Sequence, residues 1–86
     1  MDERIDELVE RLRQHPANVR YRDLCRVCDH FFGRPRRARG SHRMYKTPWE
    51  GEPRINIQNE HGSAKVYQVK QVVAALEKLI LENKNG

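Results

Sequence analysis

Three segments of the chain repeat apolar residues at the spacing i, i+3, i+4, i+7, which places them on one face of an α-helix. This spacing predicts helices over residues 2–14, about 22–32 and about 67–82. Pro16 ends the first helix because the residue before a proline is disfavoured in the α region, and Gly33 is placed to end the second. In chain order, the apolar positions are Ile5, Leu8, Val9 and Leu12; Leu24, Val27, Cys28 and Phe31; and Val69, Val72, Val73, Leu76, Leu79 and Ile80.

The segment between the second and third helices predicts three short strands, over residues 36–39, 41–47 and 54–58. Gly40 supplies the turn between the first two, and Pro48 ends the second before a loop over residues 49–53. In the third strand, Ile55 and Ile57 alternate with polar residues, as in a strand with one buried face. A polar loop over residues 59–64 follows. The order α-α-β-β-β-α predicts an α+β fold with a three-stranded antiparallel sheet.

Two features of this pattern leave alternatives open. The narrow apolar stripe of the first helix could pack on the rest of the domain, or it could pair with a second copy or a partner. On the second strand, His42 and Met44 share one face, and Arg43 and Tyr45 share the other. Both Met44 and Tyr45 suit burial, so the pattern does not decide which face points inward.

The length of 86 residues indicates one domain. Its formal net charge is +5, although residues 1–14 contain five acids and only three bases. The basic character therefore belongs to the rest of the chain. No apolar run is long enough to span a bilayer, and no signal peptide opens the chain. We therefore expect a cytoplasmic protein with no membrane partner, in which Cys25 and Cys28 are reduced thiols.

The positive charge is concentrated in residues 34–46, of which six are arginine or lysine and none is acidic. Guanidinium groups bind phosphates in a forked geometry, and the sequence Gly40-Ser41-His42 places one imidazole among them. A run of like charges this dense favours a nucleic-acid partner. The alternative is an exposed basic hairpin that keeps the protein soluble. The candidate RNA contacts are Arg36, Arg37, Arg39, Ser41, Arg43 and Lys46.

His42 is the candidate catalytic residue. RNA is cleaved without a metal when a base removes the proton of the 2′-hydroxyl, the oxygen attacks the adjacent phosphate, and an acid protonates the 5′ oxygen. His42 could be that base or that acid, while neighbouring cations stabilise the charge on the phosphate oxygens. The alternative is an ordinary strand histidine that makes a hydrogen bond. Because DNA lacks the 2′-hydroxyl, this chemistry selects RNA, and it needs no metal or cofactor.

The remaining candidates are structural or stay open. Cys25 and Cys28 form a single C-x-x-C, whereas a structural zinc site needs four ligands. Cys28 lies on the apolar stripe of its helix, so we expect the core to hold it as a small hydrophobic residue. Trp49 and Tyr45 could stack on bases or could equally cover the edge of the core. His61 lies in the polar loop and is expected to be solvated.

The sequence G-S-H-R-M-Y-K at residues 40–46 resembles the G-S-H-h-x-[FY]-k signature of the HicA family, the toxins of a bacterial and archaeal toxin–antitoxin system. The resemblance extends over residues 19–81. The stretch Y-R-D-L at residues 21–24 is similar to the start of the family's first helix. The stretches P-R-I-N-I-Q at residues 53–58 and K-V-Y-Q-V-K-Q-V at residues 65–72 resemble its third strand and second helix.

This resemblance implies an α-β-β-β-α fold like the double-stranded RNA-binding domain, with the helices on one face of a three-stranded sheet. It implies a metal-independent endoribonuclease that cleaves mRNA and inhibits translation, with His42 as the catalytic residue. It also implies a HicB-type antitoxin as a partner, commonly acidic in the part that covers the toxin. Residues 17–86 would form the HicA-like domain, and residues 1–16 an additional N-terminal helical extension.

The chain departs from the family in two places. Many members lack the extension at residues 1–16, and many have a second histidine where this chain has Arg43. The alternative function is a non-catalytic RNA-binding module of the same fold, which shares the basic surface and differs only in whether His42 is needed for cleavage. A third reading is a structural partner protein that assembles through its first helix.

If the basic hairpin binds RNA through several phosphates, the affinity falls by orders of magnitude between about 50 and 200 mM salt, because each neutralised phosphate releases counterions. Fluorescence anisotropy with a labelled single-stranded RNA at several salt concentrations measures this dependence. Binding that is insensitive to salt would contradict phosphate contacts by the arginines.

Overall fold

The computed structural model describes residues 3–49 and 54–85. The helices are α1 (Glu3–Gln14), α2 (Tyr21–Phe32) and α3 (Val66–Asn85), with a short 3₁₀ helix at Pro16–Asn18. The strands are β1 (Arg37–Arg39), β2 (His42–Lys46), β3 (Arg54–Glu60) and β4 (Ser63–Ala64). The three predicted helices and the positions of the three predicted strands are confirmed to within a few residues. The predicted helix start at residue 2 and loop residues 50–53 lie outside the described residues.

The sheet is antiparallel throughout and has the order β1-β2-β3-β4. The prediction of three strands is wrong, because the expected loop over residues 59–64 forms the end of β3 and all of β4. His61 and Gly62 join these strands with φ angles of 53° and 88°, the left-handed pair that a type I′ hairpin turn requires. The Asn59 side chain closes the turn, since its Oδ1 accepts a 2.6 Å hydrogen bond from the Gly62 amide.

The backbone before α2 covers the outer edge of β4. The Ala64 amide donates a 2.9 Å hydrogen bond to the Val19 carbonyl, and the Tyr21 amide donates a 3.0 Å hydrogen bond to the Gly62 carbonyl. Arg20 and Ser63 form a bridge between them. This side of the sheet is therefore closed by the chain itself, and β1 is the outermost strand on the other side.

The sheet packs its helices on one face. Tyr45, Ile55 and Ile57 are buried in one core with the apolar residues of α2 and α3. The alternate residues of β2 and β3 are exposed or only partly covered. The fold is therefore α+β, with one sheet face in the core and the opposite face open to solvent over the described residues. None of the helices in this part of the chain combines the length and apolarity that crossing a membrane requires.

The apolar stripe of α1 packs on the domain. Ile5, Leu8 and Leu12 are buried in the same core as α2 and α3. On the polar side, Arg13 of α1 forms a 2.8 Å ion pair with Glu77 of α3. Because the stripe is already buried, it does not offer an apolar surface to a second copy or a partner.

Replacing Leu12 with alanine should lower the free energy of unfolding by about 2–5 kcal/mol, because none of this side chain is exposed. The matched control is Leu81→Ala on α3, where the leucine is 61% exposed and the change should stay within about 0.5 kcal/mol. Urea unfolding followed by circular dichroism measures both. Equal stability of the two variants would contradict the packing of α1 in the core.

Candidate nucleic-acid interface

Strand alternation places His42 on the face of the sheet that the helices do not cover. His42 is directly opposite Arg39 on β1 and Gln58 on β3, and residues opposite one another in a ladder share a face. We call this surface the outer sheet face. Its members are Arg37, Arg39, His42, Met44, Lys46, Arg54, Asn56 and Gln58.

Four cations share the outer sheet face with the imidazole: Arg37, Arg39, Lys46 and Arg54. All four are exposed, and within the described residues none of them forms an ion pair. The only acid that alternation adds to this side of β3 is Glu60 at the end of the strand, which pairs with Lys65 at 3.8 Å. The outer sheet face is therefore a strongly positive surface whose cations are not neutralised by the described acidic side chains.

A tight turn fixes the position of His42 at the start of β2. Arg39 and His42 are paired, so Gly40 and Ser41 form a two-residue turn. Gly40 has a φ of 52°, a left-handed conformation that glycine adopts without strain. The Ser41 carbonyl accepts a 2.8 Å hydrogen bond from the Asn59 amide, which ties the turn to β3.

The imidazole of His42 is exposed, and the described part of the chain offers it no hydrogen-bond partner. The alternative reading, a strand histidine held by a hydrogen bond, is met in its position on β2, but no such bond is formed among the described residues. The exposed residue is therefore accessible to a substrate.

Arg43 lies on the opposite side of the sheet from His42. It is paired with Ala38 and Ile57, and its guanidinium approaches the Asp29 carboxylate of α2 at 3.7 Å. The Tyr45 hydroxyl donates a 2.6 Å hydrogen bond to the same carboxylate. Hydrogen bonding to Tyr45 is also the main cause that raises the pKa of Arg43. These contacts tie β2 to α2.

The predicted RNA contacts do not all lie on one surface, since Arg43 is on the helix side of the sheet. Arg37, Arg39 and Lys46 share the outer sheet face with His42. Arg36 is exposed just before β1, where its amide donates a 2.7 Å hydrogen bond to the Met44 carbonyl, and Ser41 is exposed in the turn.

Sequence reasoning missed the contribution of β3. Arg54 is opposite Lys46, and Asn56 is opposite Met44. The alternation of polar residues with Ile55 and Ile57 was visible in the sequence. The register that carries these residues next to β2 was not.

Burial decides two of the open alternatives. Tyr45 is completely buried, so it belongs to the core and cannot stack on a base. Cys28 is also completely buried and Cys25 nearly so, as expected for core residues. Burial raises the pKa of both thiols, which keeps them protonated at neutral pH.

The other candidates have clear positions. Trp49 is half-buried, and the Lys78 ammonium lies 4.3 Å from the centre of its ring. His61 is an exposed residue of the β3–β4 turn. Residues 3–49 and 54–85 contain no group of three histidine, cysteine, aspartate or glutamate side chains arranged to hold a metal ion.

Tyr45→Phe should alter how stability depends on pH. Burial raises the pKa of Tyr45, so above about pH 10 the unfolded chain loses a proton that the folded chain retains, and stability falls. The variant should lose about 1 kcal/mol at pH 7 with its hydrogen bond, and it should decline less steeply above pH 10. Urea unfolding at pH 7, 10 and 11 measures this.

The control for this experiment is Leu81→Ala, since Leu81 is 61% exposed and has no ionisable group. It should follow the parent protein at every pH. An identical alkaline decline in the parent protein and in Tyr45→Phe would contradict the buried environment of the Tyr45 hydroxyl.

Comparisons with known protein families, with curated proteins and with solved structures find no match to this chain.

Proposed function

We propose that this protein is a HicA-like toxin, a metal-independent endoribonuclease that cleaves mRNA and so inhibits translation. The observation that carries the proposal is one exposed imidazole, His42, on a sheet face with four exposed cations that form no ion pair with the described residues. Single-stranded RNA supplies both a chain of phosphates for the cations and a 2′-hydroxyl for the imidazole.

The proposed reaction is an attack of the 2′-oxygen on the adjacent phosphorus. His42 takes the proton of the 2′-hydroxyl or gives a proton to the departing 5′-oxygen. The bond from phosphorus to the 5′-oxygen breaks as the bond to the 2′-oxygen forms, which leaves a 2′,3′-cyclic phosphate and a free 5′-hydroxyl. His42 is the only imidazole on the described outer sheet face, so water carries the other proton.

Arg39 and Gln58 are the side chains best placed to assist His42. Each is directly opposite His42 on a neighbouring strand, a position that brings Cβ atoms to about 4.5–5.5 Å. A guanidinium there can stabilise the charge that develops on the phosphate oxygens, and the amide of Gln58 can donate a hydrogen bond to them. Arg43 points to the helix side and supports β2 through Asp29, so we assign it no contact with the cleaved phosphate.

The same surface suits the proposed protein partner. A HicB-type antitoxin with an acidic segment would neutralise the exposed arginines and cover His42 together with them. In this proposal α2, β1, β2, β3 and α3 correspond to the α-β-β-β-α order of a double-stranded RNA-binding domain, and α1 and β4 are additions. The proposed site of action is the cytoplasm.

A non-catalytic RNA-binding module is the second candidate function. It is favoured by one observation, namely that the described outer sheet face offers a single imidazole where cleavage uses two proton transfers. Both candidates predict binding of single-stranded RNA, and only the first predicts that His42 is needed for cleavage of the strand.

His42→Ala should lower the rate of RNA cleavage by about 10²–10⁴-fold, the usual contribution of a proton-transferring side chain. The assay uses an end-labelled, unstructured RNA in EDTA, with products separated on a sequencing gel. Arg11→Ala, on exposed α1 surface, is the matched control and should cleave at the parent rate.

Two results would count against the nuclease. Equal cleavage by the parent protein and His42→Ala would remove His42 from the reaction. Equal RNA binding by both, with no cleavage by either, would favour the binding module.

The role of the 2′-hydroxyl is tested with a DNA strand that contains a single ribonucleotide. The parent protein should cut this substrate only after that nucleotide.

A further inference from the structure

A groove of about 1140 Å³ opens at the end of the sheet that lies away from the Gly40-Ser41 turn. Lys46 and Arg54 of the outer sheet face form part of its lining, together with Trp49 from the connection between β2 and β3. Phe31 and Phe32, at the end of α2, line it as well. We call this depression the terminal groove.

The terminal groove combines aromatic side chains with positive charge. Besides Lys46 and Arg54, three arginines that lead into and begin β1 contribute to its lining, and no described lining residue is acidic. Aromatic rings beside cations are the arrangement with which proteins bind single-stranded nucleic acid, because each base has a face that can stack and each linkage has a phosphate. An acidic peptide would satisfy the cations and would leave the aromatic side chains without a planar partner.

Trp49 is held in a defined position in the groove. The Lys78 ammonium lies 4.3 Å from the centre of its ring, a cation–π contact that restrains the indole. Because the side chain is half-buried and lines the groove, part of its surface is accessible to a ligand. A restrained aromatic ring loses little conformational entropy when it stacks on a base.

The terminal groove is continuous with the surface that carries His42. Lys46 belongs to both, and it is four residues from His42 along β2, or about 13 Å at roughly 3.3 Å per residue. A single RNA strand lying on the outer sheet face would therefore reach the groove beyond the nucleotides that flank the cleaved phosphate.

We propose that the terminal groove binds one base of the single-stranded RNA, at a distance from the cleaved linkage, and stacks it against Trp49. This site favours one position of the RNA strand along the outer sheet face. It also contributes to RNA affinity independently of cleavage. The identity of the occupant as RNA rests on the proposed function.

The test measures RNA binding by full-length His42→Ala, which lacks the proposed cleaving residue. A single abasic nucleotide is moved stepwise through a single-stranded RNA, and each affinity is measured by fluorescence anisotropy. One position should weaken binding about tenfold when its base is missing, in line with the loss of one stacked base. Neighbouring positions should change the affinity little.

Trp49 is the only tryptophan of the chain, so its fluorescence reports on the groove without a further substitution. Intact RNA should quench this fluorescence, and RNA that is abasic at the sensitive position should bind without quenching it. In Trp49→Ala, intact and abasic RNA should bind equally, because the two changes remove the same contact. Trp49→Phe should restore part of the difference.

The cations of the groove are tested separately. Arg54→Ala should weaken binding of all these RNAs by a similar factor and should reduce the salt dependence by about one phosphate contact. Arg11→Ala should change neither.

The results distinguish this proposal from the proposed function. If the parent protein never cleaves RNA but one abasic position still weakens binding, the proposed nuclease is refuted and the groove proposal stands. Cleavage with no sensitive abasic position, or RNA binding with no change in Trp49 fluorescence, would overturn the groove alone. Quenching of Trp49 by an acidic peptide but not by RNA would assign the groove to a protein partner, and failure to bind RNA at all would overturn both.

Discussion

The Tyr45 side chain is completely buried, and its hydroxyl donates a 2.6 Å hydrogen bond to Asp29 on α2. This contact sets the orientation of β2, because side chains alternate strictly along a strand. With Tyr45 in the core, His42, Met44 and Lys46 must point away from the helices. A shift of one residue would bury the imidazole and expose the tyrosine, at the cost of burying polar groups without partners.

The same constraint separates the arginines into two groups. Arg43 shares the side of Tyr45 and is tied to Asp29, so it stabilises the attachment of the hairpin to α2. The cations of the outer sheet face have no such partner within the described residues and repel one another. Repulsion between the cations lowers the stability of the free protein, and an anion that binds to this surface raises it. The hairpin is therefore anchored on one face and chemically available on the other.

Much of this fold could be predicted from the sequence, because its helices are long and strongly periodic. The alternation of Ile55 and Ile57 was enough to place β3. The prediction failed at β4, since a two-residue strand has no periodicity and the left-handed conformation of His61 is uncommon for a residue other than glycine. The inward face of β2 stayed open because Met44 and Tyr45 both suit burial. The structure decides it through the burial of Tyr45 in the core and its hydrogen bond to Asp29.

The candidate site could be predicted only in part, for a related reason. The basic run and His42 are adjacent in sequence and are visible there. The contributions of Arg54 and Trp49 depend on the register between β2 and β3 and on the position of α3, which are set by the whole core. Local pattern likewise cannot show that Arg43, in the middle of the basic run, faces the helices.

The most direct test of the proposed RNA interface is an NMR titration that resolves individual side chains. The ligand is a single-stranded RNA with 2′-O-methyl groups, which attack through the 2′-oxygen cannot cleave. The Nε–H signals of Arg37, Arg39 and Arg54 and the side-chain amide of Asn56 should shift on binding, while the Nε–H signal of Arg43 should change little. Large shifts at Arg43 or along α1, with an unchanged outer sheet face, would contradict the assignment of this face as the RNA interface.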